Sequence, residues 1–249
     1  MNGRRDADSP PCAVRAGELA DDDASLCHNQ RVTDSADRRH SFGLFVLVFV
    51  TYGFFYGGGG WAPNSHFDLT RALVERGSVE ITPYRFNTGD VAWVDGRAYC
   101  NKSPGLSLLA AGPYALLYHA QRAAGIDPST PGALSLNLYL CTLMICAVSG
   151  GVISAVLYSF ARRDLGMTRS FALLVSLSIA FATPIFSWST VFFLHVPNAA
   201  ALLLAFVWAI RGRSALAGVA AGIAALLNYL CIPLVLVFWV LAVYRSTRR

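Results

Sequence analysis

Residues 41 to 61, SFGLFVLVFVTYGFFYGGGGW, contain no charged side chain, and a run of that length can cross about 30 Å of hydrocarbon. Five more apolar stretches follow, at roughly 105 to 118, 134 to 161, 170 to 189, 191 to 210 and 214 to 244, with breaker residues near Asn228 and Pro233 making a hairpin of the last. Hydrophobic residues make up 55% of the 249 and charged ones only 14%, a balance too apolar for an ordinary water-soluble domain. The predicted fold class is an all-α polytopic membrane protein of about six transmembrane helices. A large first extracytoplasmic loop is expected to carry juxtamembrane helices and a small β-hairpin.

The segment before residue 41 has the opposite character. It holds six arginines and eight acids with few large apolar groups, which bury too little surface to offset ordering entropy. Residues 1–40 therefore read as a disordered cytoplasmic tail and 41–249 as the membrane domain. No apolar stretch lies close enough to the start to be a cleaved signal, so 41 to 61 is expected to remain as an anchor. The formal charge of +5 does not point to nucleic acid, because the arginines flank apolar runs instead of clustering on a polar face. Cys12, Cys27, Cys100, Cys141, Cys146 and Cys231 are scattered, three of them within apolar runs. They suggest small core residues, with neither a disulfide framework nor a zinc pattern.

Arginine placement selects the topology, since short cytoplasmic loops are enriched in arginine and lysine. The stretch 105 to 118 would form a helix of only about 21 Å, and Gly112-Pro113 interrupts it. If it lies at the interface without crossing, Arg38-Arg39, Arg162-Arg163 with Arg169, Arg211 with Arg213, and Arg245 with Arg248-Arg249 all fall on the cytoplasmic side. The N-terminus is then cytoplasmic, and residues 61–133 form one extracytoplasmic loop of about 70 residues, a length that usually serves function.

Within that loop, NSHFDLTRALVERG reads as a short helix along the membrane surface, with Ser65 and Asp68 closing a capping box and Gly77 ending it. Asp68 has that structural reading beside a catalytic one, and His66 reads as structural. VAWVDGRAYC alternates around Asp95-Gly96, a pair suited to a two-residue turn with positive φ. Counting outward pairs Val94 with Arg97, Trp93 with Ala98, Ala92 with Tyr99 and Val91 with Cys100. Asp90 then faces Asn101 and meets Lys102 at the open end. Lys102 is the only lysine among 20 basic residues. An ammonium beside a carboxylate at the lipid boundary is either a surface ion pair or a phosphate grip. His195, on the uncharged external turn SWSTVFFLHVPN, is either a depth anchor or a functional group. Asn228 and Tyr229, at the last external turn, are weaker candidates.

The order of parts resembles the type C glycosyltransferases, multispanning enzymes similar to the protein O-mannosyltransferases and the lipid A aminoarabinose transferase. A first span leads to a surface helix, NSHFDLTRALVERGSVEI, then to DGRAYCNKSPGLSLLA, a span ending in YSFARRDLG, and a return span with a polar outer end. Over residues 41 to 230 it is closest to bacterial members with a pattern like NTGD…DG..Y..K.PG.SLLA. The resemblance implies transfer of a sugar from a polyprenyl-phosphate carrier to a glycan, lipid or protein acceptor outside the cytoplasm, in the inner membrane. It makes Lys102, with Asn64, Asn101 and Tyr99, the carrier-binding set. Asp90 or Asp68 becomes the carboxylate that activates the acceptor or binds a divalent metal, and His195 falls near a second acid of the family. The acidic pair usual after the first span is replaced by Ala62, Pro63 and Asn64, and the chain has fewer spans than its relatives, as an N-terminal portion would. The competing readings are a non-enzymatic protein that binds or transports the lipid carrier, and an inactive truncated relative.

Overall fold

A computed structural model describes residues 21–247. The order is helix α1 (Asp21–Phe54), α2 (Trp61–Arg76), strands β1 (Val91–Val94) and β2 (Arg97–Cys100), then α3 (Gly105–Ala123) and α4 (Pro131–Thr142). A π-turn, Leu143–Ala147, joins α4 to α5 (Val148–Arg163), followed by α6 (Arg169–Phe181), the short α7 (Ile185–Ser189), α8 (His195–Ile210), α9 (Ser214–Leu227) and α10 (Ile232–Thr247). The architecture is all-α with one two-stranded hairpin.

The central element is the continuous helix Pro131–Arg163, about 50 Å long at 1.5 Å per residue. The Thr130 side chain caps it by accepting from the Ala133 N–H, and Pro131 sits where its missing N–H costs nothing. Among the described residues this is the one helix long and apolar enough to cross a membrane; Arg169–Phe181, His195–Ile210, Ser214–Leu227 and Tyr229–Val240 are apolar but shorter. The break expected in the last apolar stretch falls at Asn228, whose side chain accepts from the Leu230 N–H as α9 ends.

Arginines of the first three clusters meet at one end of the bundle, and Arg248-Arg249 of the fourth lie outside the described residues. Asp37 on α1 accepts from Tyr158 Oη at 2.8 Å and pairs with Arg162 Nε at 3.0 Å and Arg169 Nε at 3.5 Å, tying α1 to α5 and α6. Asp164 pairs with Arg211 at 2.6 Å. Here the structure differs from the expected disordered tail: residues 21–40 continue α1, and Asp37 is buried in this network. Within this stretch Asp37 is held by partners far along the chain. Residues 1–20 lie outside the described residues.

At the other end, the Gly57 N–H donates to the Thr190 carbonyl at 2.8 Å, bringing the exit of α1 beside the α7–α8 turn. The polar loop 61–133 packs there. Its first helix corrects one expectation. α2 begins at Trp61, capped by Gly60 without a side-chain bond, so Ser65 is an interior residue and Asp68 closes no capping box. Ser65 through Ala72 are buried at every position against other parts of the protein. The hairpin covers the predicted stripe of Leu69, Ala72 and Leu73, and α3 with Phe192 covers Phe67 on another face.

Candidate functional site

The hairpin has the register that counting predicts, Val91 with Cys100 through Val94 with Arg97. Asp95 and Gly96 hold the turn at φ of 48° and 75°, which a two-residue primed turn requires. Val91, Ala98 and Cys100 pack with Leu69, Ala72 and Ile81, anchoring the hairpin to α2. Its open end is therefore fixed. There Lys102 Nζ lies 2.9 Å from Asp90 Oδ2, and Asn101 Nδ2 donates to Asp90 Oδ1 at 3.0 Å. The Asp90 N–H donates to Thr88 Oγ1, which itself donates to the Trp61 carbonyl at 2.6 Å. Burial alone would raise the Asp90 carboxyl, but the bonds from Asn101 and Lys102 outweigh it and hold the group below the usual carboxylate range.

Pro104 and Gly105 then turn the chain into α3. A Cβ on Gly105 would stand 2.5 Å from the Leu226 carbonyl carbon and oxygen, so the absent side chain lets α3 start directly against the end of α9. Ser107 Oγ donates to the His66 carbonyl at 2.7 Å, locking α3 to α2.

His66 is the residue that sequence reasoning missed. Its side chain is fully buried and neither ring nitrogen has a hydrogen-bond partner among the described residues, an arrangement that costs about 1 to 3 kcal/mol when no water fills it. Burial pushes the imidazole down to about 4; Lys102 acts in the same direction and Asp90 opposes. It is neutral at physiological pH and a weak base, because burial disfavours its cation. Phe193 contacts it edge-on at 5.8 Å between centroids and contacts His195 at 4.7 Å, while Trp188 meets His195 at 4.9 Å. His195 is exposed, at the first turn of α8. Asp90, Asn101, Lys102, His66 and His195 thus share one side of α2.

Asp68 does not join them. Two positions beyond His66, it is rotated about 200° around the helix, where Asn87 Nδ2 donates to its Oδ1 at 3.2 Å and Arg71 stands 3.9 Å away. Asn64 also lies there, donating to the Asn87 carbonyl at 2.7 Å and lining a small cavity of about 150 Å³ with Asn87 and Arg71. Tyr99 occupies the hairpin face opposite Ala98 and Cys100. Tyr229 is exposed beyond the end of α9.

Burial raises the Asp68 carboxyl to about 7, against the opposing Asn87 and Arg71 and with Glu75 adding to it. The folded protein keeps a proton there that the unfolded chain sheds near pH 4, so this contribution is fully present below pH 4 and is lost as pH rises through 7. The expected size is ~4 kcal/mol as an upper bound. Asp68→Asn should therefore flatten the fall in melting temperature between pH 5 and pH 8, and equal slopes for variant and wild type would contradict the raised pKa.

Among the described residues no three His, Cys, Asp or Glu side chains converge as a metal site. Both Asp90 oxygens are engaged. As arranged, these residues present neither three converging ligands nor a free Asp90 oxygen to a divalent metal. The chain matches no family model, no curated protein and no solved structure.

Proposed function

We propose that this chain is a multispanning membrane protein, similar to type C glycosyltransferases, that moves a sugar from a polyprenyl-phosphate carrier to an extracytoplasmic hydroxyl. Membrane embedding is supported by helices apolar on both faces. On α1, Leu44, Val48 and Tyr52 are buried while Phe42, Leu47, Val50 and Phe54 face outward, and Trp239 and Val240 do so on α10. Outward stripes of this kind are stable against lipid and not against water. With the arginine end cytoplasmic, the first span, α4–α5, α6, α8, α9 and α10 would make six crossings. Several are shorter than the hydrocarbon core, which local thinning accommodates.

The observation that carries the reading is the Asp90–Lys102 pair at the open end of the hairpin, directly before α3. An apolar groove of about 470 Å³ is lined by Leu109 and Pro113 of α3, Val148 of α5, Leu204 of α8 and Leu227 of α9. Leu109 follows Lys102 by seven residues in the chain, and the groove suits an isoprenoid chain whose phosphate ends at Lys102. Phosphate takes the ammonium from Asp90, and the carboxylate, relieved of its cation, becomes the stronger base. The acceptor oxygen then bonds to the anomeric carbon as the carbon–phosphate-oxygen bond breaks. Asp90 receives the acceptor proton, and the polyprenyl phosphate leaves on Lys102. His66, on the same side of α2, is the alternative base, weakened by the burial that disfavours its cation.

The test is transfer and carrier binding measured together in vesicles loaded with polyprenyl-phosphate sugar. Asp90→Asn should retain binding and lose transfer. Transfer lost instead only in His66→Phe, with Asp90→Asn active, would move the base to the imidazole. Tight carrier binding by the wild type with no turnover would leave a carrier-binding protein and overturn the enzymatic reading.

A further inference from the structure

A second groove, of about 360 Å³, lies between α1 and α5 at the arginine end, remote from Lys102. Arg38 and Arg163 border its mouth, Ser159 stands between, and Phe42, Phe45 and Val152 form its apolar depth. Asp37 also borders it, but that carboxylate is already occupied by Tyr158, Arg162 and Arg169. Arg38 and Arg163 are exposed and form no ion pair with a described residue, whereas Arg162, Arg169 and Arg211 do. Two unpaired cations above an aromatic slot match one kind of ligand, an anion with a hydrocarbon chain attached.

We infer that the α1–α5 groove is a binding site for an anionic phospholipid, with its phosphate between Arg38 and Arg163 and the upper part of one acyl chain against Phe42 and Phe45. A free phosphate would use the guanidinium groups and leave the rings in water; the lipid satisfies both. Paired basic residues at the end of membrane helices attract anionic headgroups for the same electrostatic reason. By packing against both helices next to the Asp37 network, the lipid would brace the junction of α1 and α5. The inference rests on the membrane reading but not on glycosyl transfer, and its readout is lipid retention, so its failure is distinct from a failure of catalysis.

The experiment uses the full chain in neutral detergent, with phosphatidylglycerol and phosphatidylcholine at equal concentration and retained lipid counted by native mass spectrometry. The wild type should keep phosphatidylglycerol preferentially. Each of Arg38→Gln and Arg163→Gln should reduce that preference about fivefold, and the double variant about thirtyfold. Arg122→Gln, at the far end of α3, should change nothing. Val156→Trp, which fills the slot and retains both arginines, should also release the lipid, covering the case in which the double variant does not fold. Inorganic phosphate should not compete. Equal retention of the two lipids by the wild type, preference surviving in the double variant or in Val156→Trp, or displacement by inorganic phosphate would each overturn the assignment.

Discussion

Replacing Lys102 with alanine should abolish sugar transfer while leaving the fold intact. Its ion pair with Asp90 is about one quarter exposed on each side, and such pairs contribute only ~0 to 1 kcal/mol to stability. A melting temperature within a few degrees of wild type is expected. The effect on chemistry is much larger, because a fixed cation at a departing phosphate acts where charge develops and is worth about 100- to 1,000-fold in rate. Carrier binding should weaken about tenfold or more, the value of a charge-assisted hydrogen bond. Lys102→Arg should recover binding better than turnover, since a planar guanidinium keeps the charge but not the compact geometry. The checking measurement is transfer rate against carrier concentration, beside thermal unfolding of the same preparations. Full activity in Lys102→Ala would end the proposal that this residue grips the carrier.

The second large effect concerns stability. Glu75 accepts from Arg71 Nε at 2.9 Å, Tyr84 Oη at 3.0 Å and Tyr114 Oη at 2.6 Å, joining α2, the segment before the hairpin and α3. Arg71 is buried, its guanidinium 4.1 Å from the Tyr84 ring centre. Glu75→Leu leaves that cation with only Asp68 at 3.9 Å, itself drawn toward the protonated form. Breaking one side of a buried charged network costs about 3 to 5 kcal/mol, a fall in melting temperature on the order of 10 °C. Glu75→Gln keeps one acceptor oxygen, for Tyr114 and Arg71, and presents an N–H to Tyr84 Oη, which can accept it, so it should lose less. An unchanged melting temperature in Glu75→Leu would show that these three bonds do not hold the loop on the bundle.

Much of the local structure was legible in the sequence because it depends on neighbours along the chain. Asp95-Gly96 dictates its turn, and the period of two then sets every pairing up to Asp90 and Lys102. Gly77 ends α2 in the left-handed region at φ 61°, as expected. The hairpin at Asn228 likewise follows from a local breaker. The errors share a different cause. Ser65 and Asp68 have the spacing of a capping box, but the N-cap of α2 is Gly60, five residues earlier, so a local motif lost to tertiary packing. Residues 21–40 have the composition of a disordered tail, yet Asp37 finds its partners about 120 residues away. The structure places Asp68 and Asn64 around Asn87, a grouping no local pattern predicted.

Sequence alone determined where the apolar helices run, where the hairpin turns and that a single ammonium faces a carboxylate at its open end, because periodicity, turn chemistry and strand counting act within a few residues. Only the tertiary structure decided that Ser65 through Ala72 of α2 are buried at every position, that His66 lies buried on the same side of α2 as that pair, that Glu75 collects Arg71, Tyr84 and Tyr114, and that arginines of the first three clusters meet around Asp37 and Asp164. Those features arise from burial and from contacts between distant elements, and the free energy of a buried polar group depends on what surrounds it, which no local pattern records.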